Sequence, residues 1–289
     1  MDLAFIFSFE VLGAIATLVL MSIGLAVVFG MMKIINLAHG EFMMLGGYVA
    51  ILATNQLGLP IWLSMLVVAP LVVGLFGVLI EQLLIRHLYG RMVDTMLATW
   101  GLSLAMVGLA TMLLGNTTVG ISSPLGGFAV GAYQASGYTA FVIGVAAAVV
   151  AGLWLLLRLT DLGLCACATM QNAAMAAALG SPPRRVYAIT FGLGAALSGL
   201  GGAVLAPITG VIPTIGASYI AKSFITVIGG GAAVISGSLA ASGLFGAISQ
   251  AVSFLTTPVL GEVALLLAAI VLIRLLPQGI TGRFFRKSI

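Results

Sequence analysis

Two histidines, two cysteines and seven acids are nearly all that this 289-residue sequence offers for side-chain chemistry. His39 and His87 are far apart, and no H-E-x-x-H pair, nucleophile elbow or kinase set accompanies them. His39 and Glu41 are two residues apart, which on a helix points them about 200° from one another, a poor acid–base dyad. Cys165 and Cys167 have one residue between them and no histidine nearby, so they read as free side chains and not as a metal site. No G-x-x-x-x-G-K-[ST] loop occurs, so ATP cannot be held here in a P-loop. The acids in or beside apolar runs, Glu41, Glu81 and Glu262, form no ordered set, which argues against a proton-driven carrier. Glu81 stands five residues from Arg86 near a span end, and Glu262 opens the last span, where a carboxylate suits a helix N-terminus. No catalytic residue, metal or cofactor is expected, and the chain is not an enzyme.

What stands out instead is polarity where the chain is otherwise apolar. Ile34–Tyr48 reads IINLAHGEFMMLGGY, and Pro213–Gly237 reads PTIGASYIAKSFITVIGGGAAVISG. Each is an interrupted hydrophobic segment, one per half of the chain, and paired interruptions point to a transport pathway. Polar and ionisable groups at membrane depth are costly and are kept where they face a cavity or a partner. Asn36, His39 and Glu41 are therefore the pathway candidates, on a broken or re-entrant piece. The alternative is a loop at the cytoplasmic end in which His39 and Glu41 cap a helix and bind Asn36 or backbone. Lys222 is expected to snorkel as an anchor on the outer side, with substrate contact as the other use.

The elements that must hold these residues are membrane helices. Hydrophobic residues make up 62% of the chain and charged residues 6%, against about 25% charged in a soluble domain. So much apolar surface requires an apolar solvent. About nine apolar runs occur: Val11–Gly30, the short Phe42–Gln56, Trp62–Ile85, Thr95–Gly115, Tyr138–Leu157, Val186–Ala206, Tyr219–Ser236, Ser238–Thr256 and Glu262–Leu276. They are too long and too uniformly apolar for barrel strands. The expected fold is all-α, a polytopic helical membrane protein with about eight to ten transmembrane helices and interrupted segments, in one transmembrane domain over residues 1–289. No cleavable signal peptide is expected, since Asp2 and Glu10 stand where a basic region belongs.

Basic residues orient these spans. Arg86 and Arg91, then Arg158, Arg184 and Arg185, then Arg283, Arg286 and Lys287 should face the cytoplasm, which puts the C-terminus inside and, if all nine runs cross, the N-terminus outside. The net charge of +4 is too sparse for nucleic acid. Small residues at i, i+4 spacing, Gly194, Ser198, Gly202 and Ala206 on one run and Ser238, Ser242 and Gly246 on another, suit close helix contacts, within the chain before between subunits. Between two spans, in a cytoplasmic loop of about 159–185, TMQNAAMAAALGSPPRR (Thr169–Arg185) predicts a short helix over Ala173–Leu179, ended by Gly180 and stopped by Pro182–Pro183.

Four stretches carry a resemblance. Gly24–Ala50, with I-N-L-A-H-G-E at Ile35–Glu41, resembles the N-terminal signature of permease subunits of branched-chain amino acid ABC importers, a family that includes urea and short-chain amide permeases. Leu88–Leu104 resembles that family's next loop and span, somewhat closer to the urea and amide branch. Asp161–Gly202 is similar to its cytoplasmic loop and following helix, and Gly210–Gly237 to its glycine-rich segment. Departures are Cys165–Ala168, where a basic residue is common, Ala173 and Ala174 after Asn172, and Gly229–Ala233 in place of G-G-x-G-S/N-x-x-G. The resemblance implies the transmembrane permease of an ABC importer for branched-chain or hydrophobic amino acids, or for urea and amides. It implies a second homologous permease, two cytoplasmic ATP-binding subunits that hydrolyse ATP, and a periplasmic or lipid-anchored substrate-binding protein, in a bacterial inner membrane. It also makes Thr169–Arg185 the coupling segment, with Gln171, Asn172, Met175, Leu179, Gly180 and Arg184 as the residues that meet the ATPase. A stand-alone secondary carrier or channel is the alternative.

Overall fold

The computed structural model describes residues 2–131, 133–231 and 233–284, apart from the side chains of the last two. Apolar runs become helices because lipid offers the backbone no hydrogen-bond partners. α1 (Asp2–Met32) is the longest, and its second half is buried almost throughout. A non-helical stretch leads to α2 (His39–Asn55). α3 (Ile61–Leu63), a π-helical turn at Ser64–Val68 and α4 (Ala69–Leu83) make one continuous rod. The wide turn lies just ahead of Pro70, whose ring and missing N–H disrupt α-helical bonding there. α5 (Met92–Leu114) follows, then an antiparallel hairpin of β1 (Gly127–Val130) and β2 (Tyr133–Ser136). α6 (Gly137–Leu159) leads to two short helices, α7 (Asp161–Gln171) and α8 (Ala173–Ala178). The last part is α9 (Pro183–Thr209), α10 (Gly216–Gly230), α11 (Val234–Leu255), α12 (Pro258–Leu275) and the stub α13 (Gly279–Phe284).

Seven of these rods are long and apolar enough to cross a membrane. The other two expected spans are short. α2 has 17 residues and α10 has 15. At about 1.5 Å per residue they reach about 25 and 22 Å, less than the roughly 30 Å of hydrocarbon. These are the two interrupted segments. The expected span Tyr219–Ser236 ends six residues early because Gly231 turns the chain with φ +86°, and α11 then starts at Val234, before the expected Ser238. The break is satisfied from α13: Thr281 Oγ1 donates to the Gly230 carbonyl at 2.6 Å and accepts from Ala233 N–H at 3.3 Å.

α1 and α9 form the spine. α9 packs along α1, α2 and α4, and α11 covers the other side of α1. The small-residue stripes serve this packing within the chain. Gly194 and Ser198 face Gly24, Gly202 sits against the Met43 backbone, and Gly246 fits against Ile15. Outward faces are apolar and exposed, among them Leu71, Leu75, Leu104, Met112, Ile270 and Leu275, as lipid requires. The molecule is a multi-pass helical membrane protein.

The two ends of the bundle differ in charge. Where α1 finishes, Met31, Leu153, Ala166 and Val186 share one apolar cluster, and Ile34, Ile85 and Tyr89 share another. Lys33, Arg86, Arg91, Arg158, Arg184 and Arg185 all lie on the segments of that end. The connections at the opposite end, residues 56–60, 115–131 and 210–215, carry no Lys or Arg. Of the expected basic tail, the side chain of Arg283 and all of Arg286 and Lys287 lie outside the described residues.

Candidate functional site

Residues 33–38 climb back into the bundle. From Met32 up to the level of Met21 is eleven residues of helix, about 16 Å, and six non-helical residues can span about 20 Å. Their polar groups are held on the way. Leu37 N–H donates to Thr99 Oγ1 at 3.1 Å, and Ala38 N–H donates to Asn36 Oδ1 at 3.0 Å. α2 therefore starts half-way through the protein, and its first residue, His39, reaches the Met21 carbonyl with Nε2 at 2.8 Å.

α10 also starts half-way. It runs beside α1 in the same direction, with Ser223 Oγ donating to the Met21 carbonyl at 2.7 Å and Val227 packed on Leu25 and Ala26. The approach to it, residues 210–215, is pinned to the opposite loop by a reciprocal pair of backbone hydrogen bonds between Val119 and Val211 at 2.9 and 2.8 Å. α2 rises from mid-depth to one end and α10 descends from mid-depth to the other. Their N-termini meet back to back, with Gly40 so close to Gly216 that a methyl group on Gly40 would run into the Gly216 carbonyl. Discontinuous helices whose N-termini face one another at the bilayer midplane are the geometry of inverted-repeat transporters.

Each helix N-terminus carries about half a positive charge. Glu41, in the first turn of α2, packs its carboxyl group directly over Gly216, with Oε1 2.8 Å from where a side chain there would begin. In its ionised form this one group would offset both helix ends. Its Oε2 has no hydrogen-bond partner among the described residues. Asn36, His39 and Glu41 are each at most 3% exposed. The three expected together are thus separated by task. Asn36 closes the turn before α2, His39 ties helices, and Glu41 sits over the junction.

His39 is the knot of that arrangement. Nε2 donates to Met21 of α1, and Nδ1 lies 3.1 Å from Ser198 Oγ of α9. The Met21 carbonyl takes Ser223 of α10 as well. Four helices are joined at mid-depth through one ring and one carbonyl. Replacing His39 with alanine removes two buried hydrogen bonds, each worth about 1 kcal/mol, and leaves a cavity. A loss of about 2–4 kcal/mol is expected, read as a clear fall in thermal midpoint in detergent; an unchanged midpoint would show that the ring ties nothing.

At the positive end, α8 is as the sequence predicts, over Ala173–Ala178. Asn172 caps it, its Oδ1 accepting Met175 N–H at 3.0 Å. Gly180 turns at φ +90°, with Gly180 N–H bonded to Ala177 and Ser181 N–H to Ala176, the paired bonds of a glycine C-cap. Ala176 is buried against the bundle, while Met175 is 59% and Leu179 81% exposed. Gln171, Asn172, Gly180 and Arg184 are exposed around it.

The sequence itself has counterparts among known proteins. The family described as branched-chain amino acid transport system / permease component matches residues 7–276. The chain belongs to this family. It is 29% identical to the high-affinity branched-chain amino acid transport system permease protein LivH of Escherichia coli, over 93% of this chain and 92% of that one. It is 27% identical to the probable branched-chain amino acid transport permease protein LivH of Methanocaldococcus jannaschii, over 93% and 90%. It is 29% identical to the permease protein BraD of Pseudomonas aeruginosa, over 80% of both chains. No solved structure matches the chain significantly. The resemblance to this family is borne out, and the chain is a transport permease.

Proposed function

We propose that this permease is the transmembrane subunit of an ABC importer that forms half of a translocation pathway for branched-chain or other hydrophobic amino acids. The observation that carries the reading is α8. A two-turn helix at the positively charged end holds Met175 and Leu179 largely exposed, with little cover from the described residues. Exposed apolar anchors on one helical face suit a groove on another protein. By the positive-inside rule that end is cytoplasmic, so the N-terminus is outside and the C-terminus inside an inner membrane. The partners are two ATP-binding subunits gripping Gln171–Arg184, a second homologous permease and an external binding protein.

α9 would connect the two regions. It starts next to α8 and reaches mid-depth as one rod, where Ser198 meets His39. Movement of α8 driven by ATP hydrolysis would pass along α9 to the junction of α2 and α10. The permease itself contributes a path, the midplane junction and a handle, and no covalent chemistry.

The test is reconstitution. The permease, co-expressed with its ATPase subunits and partner permease, is expected to purify as one complex and to import leucine into proteoliposomes only with ATP and the binding protein. Uptake by the permease alone, driven by an ion gradient, would make it a secondary carrier and end this reading.

A further inference from the structure

Lys222 of α10 and Glu262 of α12 form an ion pair of 2.5 Å. It lies at the bundle surface, level with the middle of α1. Lys222 adjoins Ser223, which is bonded to Met21 at mid-depth, and Glu262 is three residues from Leu265, which clusters with Met21 and Tyr219. Lys222 therefore does not serve as the outer-side anchor expected of it, and Glu262 is not merely a charge on a helix end. Neither is buried: the side chains are 30% and 62% exposed. Charged groups facing hydrocarbon are costly, so this face turns to water or to another subunit, not to lipid.

The pair borders a cavity of about 140 Å³ between α1, α10, α11 and α12, lined also by Thr17, Leu18, Met21, Ser249 and Leu265. A cavity of about that size accepts a benzene-sized apolar group. One cation, one anion, two hydroxyls and four apolar side chains, Ala14 with Leu18, Met21 and Leu265, line it. We propose that this is a transit site for a zwitterionic amino acid with a compact apolar side chain. The substrate carboxylate takes Lys222 Nζ, its ammonium takes the Glu262 carboxylate, and its side chain enters against Leu18, Met21 and Leu265. Entry exchanges one ion pair for two, so no charge is left without a partner, and departure lets Lys222 and Glu262 satisfy one another again. Charge-assisted hydrogen bonds are roughly twice as strong as neutral ones, so a neutral urea or amide gains much less here. The proposal rests on the importer reading above and narrows its substrate class.

The test uses the full complex with its binding protein. Lys222→Gln and Glu262→Gln are each expected to lower ATP-driven leucine uptake about tenfold or more, while stimulation of ATPase activity by leucine-loaded binding protein stays within about twofold. The exchanged variant Lys222→Glu/Glu262→Lys keeps the pair but reverses its polarity, so uptake stays low; a merely structural pair would be rescued by the exchange. In the unmodified complex, a diazirine-bearing leucine is expected to label the peptides holding Leu18 and Leu265. Unchanged uptake in both single variants, rescue by the exchange, or labelling confined to other helices overturns the site while leaving the importer reading intact. An unmodified complex that imports urea and not leucine overturns the substrate reading and the site together.

Discussion

Replacing both Met175 and Leu179 with aspartate is expected to leave the permease folded in the membrane and strip it of the ATP-binding subunits proposed for it. The two side chains are largely exposed in the permease alone, so their replacement costs its own fold little, within about 0.5 kcal/mol. At an interface the balance reverses. Burying a Leu or Met side chain contributes about 1.5–3 kcal/mol, so losing both weakens docking by about 3–6 kcal/mol, or two to four decades in affinity. Buried aspartates would deepen the loss. ATP-driven uptake falls to background while the permease is recovered at normal yield with its thermal midpoint unchanged. The neighbouring Ala176 is the informative contrast, since it packs inward and a polar group there should damage the fold instead. Normal complex recovery and full uptake in the double variant would remove α8 from the coupling role.

One added methyl group is expected to cost the fold heavily. Gly40→Ala should raise helix propensity, worth about 1 kcal/mol, and on an open helix that term would win. At the junction of α2 and α10 it is overwhelmed, because the new Cβ would meet the backbone of Gly216, which has no side-chain rotamer to yield. Overpacking costs about 1–3 kcal/mol where side chains can adjust, and more where backbone must move. A net loss above 2 kcal/mol is expected, with a fall in thermal midpoint and loss of transport. Gly108→Ala on α5 is the control, since none of the described residues lies within 4 Å of its new methyl, and the midpoint should hold or rise. Equal behaviour of the two variants would mean that the half-helices are not in close contact.

Much of this was legible from residue order, and the limits are physical. The apolar runs located every long helix, because lipid makes hydropathy a direct readout of burial. The interruptions at Ile34–Tyr48 and Pro213–Gly237 marked both half-helices. Ala173–Leu179 with Gly180 gave α8 to within one residue, since alanine and a left-handed glycine are local signals. The extra turns at the start of α1 and the β1–β2 hairpin were not foreseen. In the site, Asn36, His39 and Glu41 were picked out as a group, yet their partners were not. The hub is a backbone carbonyl, at Met21, which leaves no trace in side-chain identity. Ser198 was visible only as a small residue in a packing stripe. Lys222 and Glu262 were each noticed singly, but a pairing across forty residues depends on how α10 and α12 lie together.

The half-length of α2 also constrains how the chain comes to be made. Seventeen residues that begin with His-Gly-Glu are a poor candidate for insertion on their own, and the helix they lean on most, α9, ends only at Thr209. At about 5–20 residues per second, synthesis of the intervening stretch takes about ten to thirty seconds. Through that interval the polar mouth of α2, with its carboxyl group and imidazole, has no partner from the second half of the chain. The first half must therefore wait at the translocon or within its water-filled surroundings until α9 and α10 arrive. A ribosome-stalled chain ending before α9 should leave a cysteine placed near the start of α2 open to a water-soluble label, and one ending after α10 should close it.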